Sequence, residues 1–174
     1  DWSSDVCSSD LLRTRFALGQ GLSASIDAID RDIEVNSPGQ MYATLFVGVL
    51  DPQRRLLRYV NAGHHPQYIL RKGGGLERMG ATGLPAGLLA GRGYTERELQ
   101  LDAGDVIFFY TDGCPETEND REEMFGTERL ESLLVASGPA APHDLLQSIE
   151  AALKSFRGTR EPFDDATMMA VRVG

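Results

Sequence analysis

The stretch Phe108-Phe109-Tyr110-Thr111-Asp112-Gly113 carries the strongest structural and chemical signal in this chain of 174 residues. A run of strand-forming residues, Val106 to Tyr110, ends abruptly in an acid followed by glycine. This order predicts a buried strand with the Asp112 carboxylate just beyond its C-terminal end. A carboxylate at a buried strand end is costly unless a cation meets it, so Asp112 is a candidate metal ligand.

A second acidic segment, Phe163-Asp164-Asp165-Ala166-Thr167, stands just before the apolar run Met168 to Val173. Two strand ends can converge in a fold, and hard cations such as Mg²⁺ and Mn²⁺ prefer oxygen ligands. The two acidic segments therefore predict a metal-dependent hydrolytic site that includes Asp112 and Asp164. The alternative from the residues alone is that each aspartate forms a turn or caps a helix.

The length of 174 residues and the hydrophobic content of 41% predict one domain that is large enough to bury a hydrophobic core. The net charge of -9, without a cluster of Lys and Arg, argues against nucleic acid and direct membrane binding. A phosphate substrate would then need positive charge from bound cations. Two cysteines, Cys7 and Cys114, give neither a disulfide framework nor a zinc spacing, which favours a cytoplasmic setting. No apolar run has the length of a membrane span.

Residues 1–11 do not resemble the rest of the sequence. Residues 1–11 show no helical or strand period, and they match the translation of the end of a common short-read sequencing adapter. We interpret residues 1–11 as a sequencing-adapter artefact and residues 12–174 as a domain that lacks its N-terminal part. Asp5 and Asp10 are then excluded as metal ligands. A natural serine-rich tail is the alternative.

The hydrophobic pattern predicts a single α+β domain whose antiparallel strands are covered by helices. The glycine-rich stretch 80–93 is predicted to be a loop, and no internal repeat or interdomain linker is present. The predicted helices are 12–35, 126–136 and 142–156. The predicted strands are 42–50, 56–61, 67–71, 94–101, 106–110 and 166–173.

Five blocks follow one another at plausible spacing: 42–51, 59–66, 101–113 with Thr111-Asp112-Gly113 at its end and Glu116 beyond it, Phe125-Gly126, and Asp164-Asp165-Ala166-Thr167. Together they resemble the SpoIIE/RsbU-type branch of the metal-dependent protein phosphatases, the PPM or type 2C superfamily. The resemblance covers residues 12–173. It implies an α-β-β-α sandwich of two antiparallel sheets flanked by helices.

The resemblance also implies an activity and partners. It implies hydrolysis of phosphoserine or phosphothreonine on a protein by water that two or more Mn²⁺ or Mg²⁺ ions activate. In this branch the usual substrate is a small anti-anti-sigma factor of the STAS type. The phosphatase usually follows a sensor or receiver domain in a longer chain.

The resemblance assigns roles to individual residues. Asp112 matches the acid of the Thr-Asp-Gly block, and Asp164 matches the first acid of the Asp-Asp-x-Thr block, so both are expected to bind metal. Asp165 is expected to act beside them or through water, and Gly113 allows a tight turn at the metal. His64 is a further candidate, because a loop at this place carries an acid for an additional metal in the wider superfamily. His65 is interpreted as structural.

Two departures from the family pattern matter. The family carries a further acidic metal block upstream of the first helix, and this chain has none there, so we expect weak or no activity from the chain as given. Cys114-Pro115 also replaces a hydrophobic-Thr pair. A cysteine nucleophile would need a phosphate loop with an arginine beside the thiol, which is absent. Two rivals stay open: a catalytically silent phosphoprotein-binding module of the same fold, and an unrelated acidic β-sandwich.

Overall fold

The computed structural model describes residues 21–36, 41–89, 91–161 and 165–174. Residues 1–11, residues 12–20 of the predicted helix 12–35, and Asp164 lie outside these ranges. The described residues confirm the α+β class, with two antiparallel sheets and three helices. In chain order the elements are α1 (Leu22–Asn36), β1 (Leu45–Asp51), β2 (Leu56–Ala62), β3 (Gln67–Leu70), β4 (Leu76–Met79), β5 (Arg97–Gln100), β6 (Val106–Tyr110), α2 (Thr127–Ser137), α3 (Pro142–Arg157) and β7 (Met168–Arg172).

The chain divides into two compact units, of which the first comprises residues 1–64 and 80–100. Its sheet has the order β1-β2-β5. The apolar residues of α1 recur every three or four positions, so they share one face of the helix. That face packs against β2, where Val60 and Ala62 are fully buried. The core residues of α1 are Leu22, Ile26 and Ile29.

The glycine-rich segment of the first unit is held by a buried carboxylate. Asp30, 2% exposed, accepts hydrogen bonds from the backbone N–H of Gly87 at 2.7 Å and of Gly91 at 3.2 Å. These donors offset the cost of burying the charge. Gly87 has a φ of 83°, and a Cβ there would lie 2.3 Å from the Ile33 side chain. The loop prediction is confirmed for its described residues.

The second unit comprises residues 65–79 and 101–174, and its sheet has the order β4-β3-β6-β7. Strand β6 has the predicted bounds and hydrogen bonds to strands on both sides, with Phe108 opposite Tyr68 and Ala170. A strand in this position buries its residues, because strands pair with both of its edges and helices pack over the sheet. The core joins β6 to α2 and α3 through Phe108, Tyr110, Leu130, Leu134, Leu145 and Ile149.

Several boundaries differ from the predictions. Strand β4 was not predicted, because its central residues Glu77 and Arg78 give it a polar pattern. It forms a hairpin with β3, closed by a hydrogen bond from the N–H of Arg71 to the carbonyl of Gly75 at 3.0 Å. Strand β1 begins at Leu45 rather than at residue 42. No helix within the described ranges is both long and apolar enough to cross a membrane.

A buried carboxylate also organises the second unit. Asp105, 1% exposed, accepts hydrogen bonds from Nη1 of Arg71 at 2.7 Å and from the backbone N–H of Lys72 and Asp102 at 2.8 and 3.0 Å. Burial alone would raise the pKa of Asp105, but the two N–H donors and the guanidinium outweigh it and hold the pKa below its ordinary value. The Asp105 carboxylate therefore joins the ends of β3 and β6 in its ionised form.

We expect Asp105→Ala to lower the free energy of unfolding by about 3 kcal/mol, because it leaves the Arg71 guanidinium without a buried partner. Urea unfolding measures this change. Glu77→Ala is the matched control: it removes the more exposed partner of Arg71 and should cost less than about 1 kcal/mol. Since the pKa of Asp105 is depressed in the fold, its contribution is complete above about pH 4 and is lost as the pH falls through the folded-state pKa. Equal losses for both variants would contradict this account.

Candidate metal centre

The turn after β6 presents Asp112 at the end of the central strand. The N–H of Cys114 donates to the carbonyl of Thr111 at 3.1 Å, and the N–H of Glu116 donates to the carbonyl of Asp112 at 3.0 Å. These bonds wind the chain into a helical turn, which places residues four apart on the same side. The side chains of Asp112 and Glu116 are both exposed there.

The second acidic segment lies directly against this turn. The N–H of Thr111 donates to the carbonyl of Thr167 at 3.0 Å, and the N–H of Thr167 donates to Oγ1 of Thr111 at 3.0 Å. Oγ1 of Thr111 also donates to the carbonyl of Asp165 at 3.3 Å. The backbone at Asp165 is therefore adjacent to the Asp112 turn, whereas Asp164 lies outside the described residues.

Gly113 makes this approach possible. A Cβ at residue 113 would lie 2.6 Å from the carbonyl oxygen of Asp165 and 3.1 Å from the N of Ala166. Both atoms belong to the backbone, so no side-chain rotation could relieve the clash. Glycine is required here by close contact between two chain segments.

Three potential ligands come together at the turn. A ring nitrogen of His65 and carboxylate oxygens of Asp112 and Glu116 lie within 4.8 Å of one another. His64 belongs to the first unit, where its Nδ1 lies 3.3 Å from Oγ1 of Thr44 and its N–H donates to Oδ1 of Asn61 at 2.8 Å. Within the described residues, the histidine grouped with Asp112 is thus His65, which the sequence analysis interprets as structural.

The side chain of Gln67 joins the backbone at His65 to the backbone at the end of β6. Its side chain is 1% exposed, and Nε2 donates to the carbonyls of His65 at 2.9 Å and Tyr110 at 3.3 Å. Its Oε1 accepts the N–H of Tyr110 at 2.7 Å. The His65 and Tyr110 rings lie 6.2 Å apart. Sequence reasoning missed Gln67, although a polar residue at the start of an apolar strand was a usable signal.

The donor set fits a divalent cation. Two carboxylates suit Mg²⁺ and Mn²⁺, and an imidazole nitrogen favours Mn²⁺ over Mg²⁺. Ligand atoms on opposite sides of a Mg²⁺ ion lie about 4.2 Å apart, twice the usual metal–oxygen distance. The separation of the ligand atoms of His65, Asp112 and Glu116, all within 4.8 Å, is compatible with a shared ion.

Cys114 is not a nucleophile in this geometry. Its side chain is fully buried beneath the turn. Burial, and secondarily the negative charge of Asp112, raise the pKa of the Cys114 thiol to about 11. Because the thiolate is the reactive form, a neutral thiol at physiological pH carries no covalent catalysis.

The fold is that of a PP2C-type phosphatase domain. The PP2C phosphatase domain of SpoIIE from Bacillus subtilis, solved with a fragment of its regulatory domain, superposes with a TM-score of 0.79 at 20% identity, over 95% of this chain and 48% of that one. The phosphatase domain of the same protein, presoaked with Mn, gives a TM-score of 0.61 at 17% identity, over 99% of this chain and 74% of that one.

The chain belongs to the stage II sporulation protein E (SpoIIE) family, whose model matches residues 7–174. It is 37% identical to Protein IcfG of Synechocystis sp. strain PCC 6803 over 131 residues, which cover 75% of this chain and 20% of that protein. It is 25% identical to the phosphoserine phosphatase RsbU of Bacillus subtilis over 147 residues, which cover 83% of this chain. The chain spans 43% of the length of RsbU, so it corresponds to less than half of either relative.

We expect Gly113→Ala to lower the free energy of unfolding by about 1–3 kcal/mol, because the added methyl group displaces the backbone at Asp165. Gly73→Ala is the matched control, since a Cβ at residue 73 meets no atom within 4 Å; its effect should stay within about 0.5 kcal/mol. Urea unfolding of both variants measures the difference. Indistinguishable stabilities would remove the close contact as the reason for glycine.

We expect Asp112→Asn to weaken Mn²⁺ binding roughly tenfold or more, because it removes a charged ligand from the cluster. Electron paramagnetic resonance of free Mn²⁺ measures the affinity directly. Asp144→Asn, an equal change of charge at an exposed position of α3, is the control and should leave the affinity within about twofold. A parallel loss in both variants would mean that Mn²⁺ responds only to net charge.

Proposed function

We propose that this domain is a metal-dependent protein serine/threonine phosphatase that acts on a phosphorylated protein, a STAS-type anti-anti-sigma factor. The observation that carries the proposal is the contact between the Thr111-Asp112-Gly113 turn and the segment at Asp165, which brings two remote acidic segments together. The membership of the SpoIIE family and the similarity to the phosphoserine phosphatase RsbU support it.

The proposed metal ligands are Asp112 and Asp164, with Asp165 beside them and Gly113 shaping the turn. His65 and Glu116 are added by the geometry of the cluster. These residues would hold two or more Mn²⁺ or Mg²⁺ ions, which would supply an activated water and positive charge for the phosphoryl group. Such cations are needed because the chain itself has a net charge of -9.

The remaining residues position this machinery. Thr111 holds the segment 165–167 against the turn, and Gln67 fixes the backbone at His65 relative to the end of β6. The buried, protonated Cys114 supports water rather than a thiolate as the attacking group. We include in the proposal a cytoplasmic location and a sensor or receiver domain upstream in the native chain.

In the native-length protein, we expect Asp112→Asn to reduce Mn²⁺-dependent release of phosphate at least about 100-fold, which corresponds to about 2.7 kcal/mol of transition-state stabilisation. The assay uses p-nitrophenyl phosphate and a phosphorylated STAS domain, and Asp144→Asn serves as the charge-matched control. Undiminished turnover in Asp112→Asn would exclude Asp112 from the mechanism. Tight binding of the phosphorylated STAS domain without any release of phosphate would instead identify a silent binding module.

A further inference from the structure

A groove of about 490 Å³ runs beside the candidate metal centre. Gly113, Glu116 and Asp165 line one part of it, so the groove is continuous with the residues that would surround the reacting phosphoryl group. Apolar side chains, including Leu146 and Leu153, form another part of the lining. A space that joins an apolar surface to a reactive centre has the general form of a substrate-binding site.

One face of α3 forms a wall of the groove. Its lining residues recur every three or four positions, so they share one side of the helix: Leu146, Glu150, Leu153, Lys154 and Arg157. The distance along the helix from Leu146 to Arg157 is about 16 Å. An extended peptide of about five residues has the same length. The groove can therefore accommodate a short extended segment of another protein.

Arg157 is the unsatisfied polar group of this wall. Its side chain is half-buried, and its Nε is inaccessible to solvent and has no hydrogen-bond partner. No ion pair of Arg157 with a described residue is found either. Arg157 also lines the groove, so an anionic group bound there would meet its guanidinium.

The other charged residues that line the groove are two cations, Lys154 and Arg160, and five carboxylates: Glu116, Glu118, Glu150, Glu161 and Asp165. Arg160 is already engaged, since it lies 2.6 Å from Glu118 and donates to the carbonyl of Asn119 at 3.4 Å. Glu150 and Lys154 are four residues apart on α3, a spacing at which opposite charges offset each other. Glu116 and Asp165 are at the metal centre. Arg157 is less exposed than Lys154 and is not engaged as Arg160 is, so it is the cation better placed to bind an anionic group.

We propose that this groove binds the segment of the substrate protein next to the phosphorylated residue, and that Arg157 binds a carboxylate in that segment. A guanidinium suits this role because it can donate two parallel hydrogen bonds to one carboxylate. The proposal rests on the proposed phosphatase function and adds a sequence preference to it: an acidic residue close to the phosphoserine, with an apolar residue for the surface formed by Leu146 and Leu153.

A purely structural role for Arg157 makes a different prediction. Arg157 stands in the last turn of α3, where a positive charge stabilises the helix through its dipole. Loss of that effect would lower stability and would act equally on all substrates. A selective effect on acidic substrates would not follow from it, so substrate selectivity distinguishes the two roles.

The test measures kcat/KM of the native-length protein on phosphoserine peptides in which one glutamate is moved through the four positions on either side of the phosphoserine, with glutamine elsewhere. We expect one position to raise kcat/KM about tenfold through a lower KM. Arg157→Gln should abolish this preference and leave turnover of p-nitrophenyl phosphate within about twofold. Arg157→Lys should retain part of it.

Arg97→Gln is the matched control, because it removes one exposed positive charge from β5 in the first unit; the preference should remain. Thermal unfolding of each variant monitors folding, and Arg157→Lys keeps the test valid if Arg157→Gln is unstable. The proposal is overturned if no glutamate position is preferred, if Arg157→Gln retains the preference, or if Arg157→Gln slows p-nitrophenyl phosphate equally.

A binding experiment separates this inference from the proposed function. Fluorescence anisotropy gives the Kd of the same labelled peptides, measured with Asp112→Asn as the background so that turnover does not interfere. If the wild type releases no phosphate, but the Asp112→Asn protein binds the glutamate peptide about tenfold more tightly than the Asp112→Asn/Arg157→Gln double variant, the phosphatase proposal fails and the groove assignment stands. If phosphate is released and Arg157→Gln does not change the Kd, only the groove assignment fails.

Discussion

The contact between Gly113 and the backbone of Asp165 is the constraint on which the site depends. Strand β6 is paired on both edges, so its end is fixed, and the turn that follows has little freedom. Three hydrogen bonds of Thr111 then fix the segment 165–167 against that turn. The absence of a Cβ at Gly113 and the hydrogen bonds of the Thr111 hydroxyl to the backbone of Asp165 and Thr167 thus bring together residues about 50 positions apart in the sequence.

The carboxylates discussed above fall into two groups, one buried and hydrogen-bonded and the other exposed. Asp30 and Asp105 are buried and receive two or three hydrogen bonds from backbone N–H groups and from Arg71, so they act as structural anchors. Asp112 and Glu116 are exposed at the end of β6, and a ring nitrogen of His65 lies beside them. Buried carboxylates that are satisfied by the protein are unsuited to metal binding, whereas exposed neighbouring carboxylates favour it.

The sequence was most informative where one local signal dominated. Strand β6 and helices α2 and α3 follow from continuous apolar runs or helical spacing, and their bounds agree with the predictions within one residue. Strand β4 was missed because a short strand with two charged residues has no apolar period. The positions of His65 and Gln67 depend on long-range pairing of β3 with β6, which local patterns do not encode. The burial of Asp30 was not predicted, because helical periodicity alone cannot anticipate that a loop supplies two donors.

The buried thiol beneath the turn has a consequence for the conditions under which the domain can work. Cys114 is shielded from solvent and stays protonated, so peroxide and disulfide reagents meet no thiolate there. Phosphatases that attack phosphate through a cysteine lose activity when that sulfur is oxidised. Under the proposed mechanism, oxidants that inactivate thiol-dependent phosphatases would therefore find no reactive sulfur at residue 114.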